Sequence, residues 1–225
     1  MFLKVTDLAT AIGIDEKTVL DWIKHRGLPA HKRDERYQIN RVDLLEWATN
    51  HEITIPPEIF ATGDENPDRP LVSEALINGG IFFDLPGDTP ETALREVVSR
   101  LKLPPGLDPE FLLQTLLARE ALGSTAFGNG IAIPHVRNPI VGQTGESAIS
   151  LCFLNNLIDF DAIDGKPVTI LFTLVTPNVK AHLHLLAKLA FLLHDHSFQD
   201  LLHRPGSEAE IMSAVYALEE TIIKK

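Results

Sequence analysis

The sequence predicts a two-part α/β protein: a C-terminal mixed sheet flanked by helices, plus a small, mainly helical N-terminal module. Three observations predict it. Val168-Thr-Ile-Leu-Phe-Thr-Leu-Val175 is an almost uninterrupted apolar run, as in a central strand covered on both faces. Asp88-Thr-Pro90 and Asp108-Pro109 each place a proline just inside the start of an apolar-periodic segment, a favourable helix opening. Residues 54–70 hold four prolines and no helical or strand periodicity, so they read as a linker stiffened by its prolines. The expected division is 1–53, a linker over 54–69, and 70–225; Ile59 and Phe60 are the linker residues able to pack on a neighbour.

In the N-terminal module, Thr6 is placed to cap a short helix that Gly13 ends. Asp15 is placed to cap a second, with Val19, Leu20, Trp22 and Ile23 giving a buried face and Gly27 ending it. Leu28 to Ile39 reads as two short extended pieces around a basic turn, and Asn40 caps a last helix carrying Val42, Leu44, Leu45 and Trp47. Helix, glycine turn, helix, hairpin, helix is the order of a small winged helix-turn-helix.

Beyond the linker, helices with Leu94, Val97, Val98 and Leu101, and with Phe111, Leu112, Leu113, Leu116 and Leu117, lead into strands that alternate with turns. Two closing helices are expected from about Ala181 and about Ser207. About 155 residues suffice for a substantial core.

Composition narrows the functional classes. The chain has 225 residues, 44% of them hydrophobic, as in an ordinary globular protein. Its apolar runs fall short of the ~18 residues that cross a bilayer, and the N-terminal Met1-Phe-Leu-Lys-Val-Thr-Asp7 does not read as a signal peptide. One cysteine, Cys152, allows no internal disulfide and fits a reducing cytoplasm; in its apolar strand it reads as an inert thiol. The net charge of −11 is uneven. Residues 1–53 hold eight Lys/Arg and nine Asp/Glu, a net of −1, while the remainder holds twelve and twenty-two, a net of −10. The acidic part is a poor candidate for nucleic acid.

The run with most chemistry is Gly123-Ser-Thr-Ala-Phe-Gly-Asn-Gly-Ile-Ala-Ile-Pro-His135. Gly128-Asn-Gly130 supplies backbone freedom for a tight turn. Ile131-Ala-Ile133 reads as a strand, and Pro134 is expected to end its ladder and fix the direction of His135. A histidine held at a strand end is well presented as a nucleophile.

This run resembles the phosphohistidine site of the IIA domains of the bacterial sugar phosphotransferase system, in the mannitol/fructose class that includes the nitrogen-regulatory members. The resemblance extends to Leu116-Leu-Ala-Arg-Glu-Ala-Leu-Gly123, to Asp164-Gly-Lys-Pro-Val168, and to Pro177 and His182-Leu-His-Leu-Leu-Ala-Lys-Leu-Ala190, covering roughly Arg69 to the C-terminus. It implies that His135 is phosphorylated by the histidine phosphocarrier protein. His182 would donate to the phosphoryl oxygens, and Arg119 would offset charge as the group passes. Ser124 and Thr125 are further candidate donors. His184, two residues along a helix, points roughly 200° away from His182 and reads as structural. His194, His196 and His203 lack well-spaced metal-ligating partners, so neither metal nor cofactor is expected.

The N-terminal module resembles the excisionase/MerR-type helix-turn-helix family through Leu3-Lys-Val-Thr-Asp-Leu-Ala9, Thr18-Val-Leu-Asp-Trp-Ile23, Arg26-Gly-Leu-Pro-Ala30, Tyr37-Gln-Ile39 and Asp43-Leu-Leu-Glu-Trp47. The implied partner is DNA. The second helix would enter the major groove with Lys17, Thr18 and Lys24, and Lys32, Arg33 and Arg36 of the wing would reach phosphates. Asp15, Glu16, Asp21, Asp34 and Glu35 lie among these bases, so a protein-interaction adaptor is the competing reading. The resulting expectation is a phosphocarrier that controls transcription or metabolism through its helix-turn-helix. A relay to a separate IIB domain for sugar import, or an adaptor that binds regulated enzymes, are the alternatives. A homodimer would supply paired half-sites.

Overall fold

The computed structural model describes residues 2–33, 36–51, 53, 55–56, 59, 70–103, 106–136, 145–204 and 206–223. Its first part runs β1 (Phe2–Lys4), α1 (Val5–Ile12), α2 (Glu16–His25), β2 (His31–Arg33), β3 (Arg36–Asn40) and α3 (Arg41–Asn50). The strands form an antiparallel sheet in the order β1-β3-β2, with Leu3 opposite Ile39 and Lys32 opposite Tyr37. The strand β1 displaces the expected first cap. With Phe2–Lys4 paired to β3, the helix starts at once: Lys4 takes the cap position, Asp7 accepts the Lys4 N–H at 3.3 Å, and Thr6 falls inside the first turn. Gly13, at φ 71°, closes α1 as expected. Asp15 stands at the N-cap of α2 in extended conformation without a side-chain capping bond, whereas Asn40 caps α3 through the Val42 N–H at 2.9 Å. Leu8, Val19, Trp22, Ile39, Leu44 and Trp47 are buried together. The Trp22 and Trp47 rings lie 5.1 Å apart, and the Trp47 indole N–H donates to the Arg26 carbonyl at 2.8 Å.

The second part contains α4 (Val72–Gly79), β4 (Ile81–Leu85), α5 (Pro90–Arg100), α6 (Pro109–Glu120), β5 (Ala126–Gly128), β6 (Ile131–Ala132), β7 (Ala148–Ile158), β8 (Val168–Val175), α7 (Val179–Leu193), α8 (His196–His203) and α9 (Glu208–Ile223). Thr89 and Asp108 cap the two proline-led helices with their side chains. The five strands form a mixed sheet in the order β4-β7-β8-β6-β5; β4 with β7 and β6 with β8 are parallel, the other pairs antiparallel. The apolar run of β8 lies at its centre. Ile170, Phe172 and Leu174 face α7, while Leu171 and Val175 join the core beneath α5 and α6.

The C-terminal region holds three helices where two were expected. Asp195 accepts the Phe198 N–H at 2.9 Å and starts α8, which buries Phe198 and Leu202. The last helix returns to the start of the domain: the buried Glu219 carboxylate accepts the Val72 and Ser73 N–H groups at 2.6 and 3.2 Å, satisfying two donors of the first turn of α4. At the other end of α4, a Cβ on Gly79 would lie 2.2 Å from the Ile149 carbonyl oxygen, so only glycine lets this helix approach β7.

Every side chain from Ala181 to Ala190 of α7 is buried. A helix covered on all faces needs partners around it. It has the sheet below, α4, α8 and α9 beside it, and α3 of the first part against it; α3 also touches β5, and the apolar core runs continuously between the two parts.

Candidate functional site

The site begins at the β5–β6 hairpin. Gly128, Asn129 and Gly130 all have positive φ (104°, 51° and 74°), a run that needs glycine or asparagine. Past the turn, Ile131 and Ala132 pair with both β5 and β8, and the Ile133 N–H donates to the Thr125 carbonyl at 2.9 Å. The ladder does not end at Pro134. Proline lacks a donor, but its carbonyl accepts the Leu174 N–H at 2.9 Å, and His135 forms a parallel bridge with Leu174. Pairing to β8 survives because Pro134 is asked only to accept.

His135 is 4% exposed, on the sheet face that carries Ile131 and Ile133. Its Nδ1 lies 2.8 Å from the Ile133 carbonyl oxygen. A carbonyl only accepts, so Nδ1 carries the hydrogen of the neutral ring and Nε2 carries the lone pair. The His182 ring stands 5.1 Å away, centroid to centroid, at 40°. Asn178 caps α7: its Oδ1 accepts the Ala181 N–H at 2.8 Å and its carbonyl accepts the His182 N–H at 3.0 Å. The His182 imidazole is thus not the helix cap. His184 is buried further along α7, and His194 rests against Phe127 with ring centroids 5.2 Å apart.

The end of α6 frames the other flank. Arg119 is 9% exposed, and its Nη1 donates to the Gly123 carbonyl at 2.9 Å. The Ser124 hydroxyl donates to the Phe160 carbonyl and accepts the Ala126 N–H at 3.0 Å. The Thr125 hydroxyl and N–H both donate to the Glu120 carboxylate, the latter at 2.9 Å. Both hydroxyls are engaged inside the protein in this structure. Glu120 is the residue that sequence reasoning missed. Its signal was a carboxylate at a helix C-terminus, where the backbone carbonyls disfavour negative charge.

In the first part, Lys17, Lys24, Lys32, Arg33 and Arg36 are exposed and Thr18 is half-buried, next to the core residue Val19. Arg33 and Arg36 sit opposite each other where the β2–β3 hairpin closes. Asp34 and Glu35 lie outside the described residues.

Two family descriptions match the chain. The family described as phosphoenolpyruvate-dependent sugar phosphotransferase system, EIIA 2, matches residues 75–217, and a helix-turn-helix domain matches residues 2–52. A nitrogen regulatory protein of Pseudomonas aeruginosa is 37% identical over 143 residues, 61% of this chain and 90% of that protein. One from Bradyrhizobium diazoefficiens is 34% identical over 150 residues, 65% of this chain and 95% of that protein. Among solved structures, nitrogen regulatory protein IIA-Ntr from Neisseria meningitidis superposes with a TM-score of 0.57 at 30% identity, covering 64% of this chain and 98% of that one.

Proposed function

Because this chain belongs to the phosphoenolpyruvate-dependent sugar phosphotransferase system EIIA 2 family and carries a helix-turn-helix domain ahead of it, we propose that it accepts a phosphoryl group on His135 and thereby controls the output of that domain. The observation that carries this reading is the pair of imidazoles: His135 with Nδ1 held by the Ile133 carbonyl, and His182 5.1 Å away.

The donor is the histidine phosphocarrier protein. The His135 Nε2 lone pair attacks phosphorus, a new N–P bond forms, and the donor's N–P bond breaks with its electron pair returning to the donor imidazole. No proton need leave His135, since Nε2 is already unprotonated and Nδ1–H stays on the Ile133 carbonyl. Such transfer asks the protein chiefly to position groups and to stabilise charge on the three peripheral oxygens. An N–H of His182 and the guanidinium of Arg119 fill the second role, with Ser124 and Thr125 able to contribute only after exchanging their present partners.

For the helix-turn-helix domain, the DNA reading is supported by what packs inward. The helix against the EIIA domain is α3, while α2 and the β2–β3 wing keep their basic side chains exposed. Arg33 directly opposite Arg36 is a like-charge pair that a bound phosphate would relieve. The phosphoryl group adds roughly two negative charges beside His182, on the helix that α3 packs against, and this supplies a physical route between the parts.

A reconstituted phosphocarrier system tests the reading. Wild-type protein should take up label and His135→Ala should take up none with its fold intact; label retained in that variant would refute the assignment. Enrichment of genomic DNA fragments by the full chain, before and after phosphorylation, tests the output. Failure to enrich any fragment in either state would assign the first domain to protein partners instead.

A further inference from the structure

We propose that Glu120 is a positioning residue for phosphoryl acceptance, clamping Thr125 so that the Ile133 carbonyl holds His135 with its hydrogen on Nδ1 and its lone pair on Nε2; this rests on the reading of His135 as the acceptor.

Three links lead from Glu120 to the imidazole. The carboxylate takes both Thr125 donors, N–H on one oxygen and hydroxyl on the other. The Thr125 carbonyl accepts the Ile133 N–H at 2.9 Å. The Ile133 carbonyl accepts the His135 Nδ1–H at 2.8 Å. Each link uses a different peptide unit, so the coupling is mechanical: Glu120 sets where Thr125 sits, and Thr125 sets where Ile133 sits. On its other side, the Pro134–His135 segment is pinned to β8 by the Leu174 N–H. The imidazole is therefore held from two strands, and Glu120 secures the β5 side.

Glu120 stands at the last position of α6, where the helix dipole disfavours a carboxylate. Two donors from one buried threonine offset that cost. Its neighbour Arg119 grips the same segment at Gly123, so the end of α6 orders residues 123–125 while placing the guanidinium. Glu120 does not serve as a base, because its oxygens are engaged by Thr125 and a ring with its lone pair on Nε2 needs no deprotonation.

The test uses full-length wild-type protein, Glu120→Ala, Glu120→Gln, Thr125→Val and the His135→Ala blank. Long-range proton–nitrogen NMR reads the His135 tautomer, and single-turnover uptake from the phosphorylated phosphocarrier protein reads the maximal rate and the half-saturating donor concentration. In wild type the neutral ring should be protonated at Nδ1. In Glu120→Ala the two tautomers should mix, and the maximal rate should fall by about tenfold or more with half-saturation little changed, since misplacement of a reacting group acts on the chemical step. Glutamine can still accept the Thr125 N–H and donate to its hydroxyl, so Glu120→Gln should recover most of both signals. Thr125→Val, which keeps the backbone donor, should fall between. A wild-type rate and tautomer in Glu120→Ala would overturn the proposal. If that variant does not fold, Glu120→Gln behaving no better than Thr125→Val would overturn it. Absence of label in wild type would instead defeat the acceptor reading, while the tautomer comparison still decides whether Glu120 orients the ring.

Discussion

At the scale of single residues, the site is a set of constraints on one imidazole. His135 owes its tautomer to a carbonyl two residues before it. That carbonyl is where it is because Pro134 fixes φ and accepts a bond from β8. Asn178 performs the capping of α7, so the His182 imidazole is not used as the helix cap. His182→Ala should slow phosphoryl uptake by about a hundredfold or more, the usual size for loss of one preorganised donor, and wild-type transfer kinetics in that variant would remove it from the site. Cys152 gives a contrasting case. Burial pushes its thiol up to about 12, and the thiolate is the reactive form, so alkylation near neutral pH should be negligible in the folded protein and appear on unfolding in urea. Rapid labelling of the native chain would contradict this. The motif marks His135, His182 and Arg119 as candidates, and the structure sets the His135 and His182 rings 5.1 Å apart. The contact of Glu120 with Thr125 was not legible, because its partner is chosen by a turn that brings the chain back onto the end of its own helix.

Among the elements, caps and periodicity were the most readable features. Thr89-Pro90 and Asp108-Pro109 begin α5 and α6, Gly13 ends α1, and Gly128-Asn-Gly130 turns the hairpin. The misjudged elements share a cause. The helix α1 begins before Thr6 because Phe2–Lys4 pairs with β3, thirty-odd residues downstream. The strand β6 keeps pairing past Pro134 because its neighbour β8 supplies donors that proline only has to accept. The helix α8 is short, and its apolar residues become a face only against α7 and α9. The cap of α7 bears on stability and on the proposed role of His182. Asn178→Ala should cost about 1 kcal/mol and lower phosphoryl uptake by loosening the turn that carries His182; an unchanged melting temperature would show that the cap contributes nothing.

Across the whole molecule, the helix-turn-helix domain completes the EIIA core. With α7 buried along its length, α3 covers apolar surface that would otherwise meet solvent. Burial of that kind contributes roughly 25 cal/mol for each Å², so the piece 70–225 should melt at a lower temperature than the same domain in the full chain. Equal melting by calorimetry would mean that the docking adds no stability. No helix among the described residues is long and apolar enough to cross a membrane. Charge is partitioned between the parts, with the near-neutral domain displaying its bases on α2 and the wing and the acidic domain holding His135.

The sequence by itself determined the central strand, the proline-led helices and the Gly128-Asn-Gly130 turn that leads to His135, because each is encoded by neighbours within a few residues: a periodic apolar face, a cap, a turn with positive φ. Only the tertiary structure decided which ring nitrogen bears the hydrogen, that Glu120 reaches Thr125, that Glu219 seals α4, and that α3 rather than α2 faces the EIIA domain. Those depend on contacts between segments far apart in the chain or across turns, where a side chain's partner is set by packing and its chemistry follows from the partner.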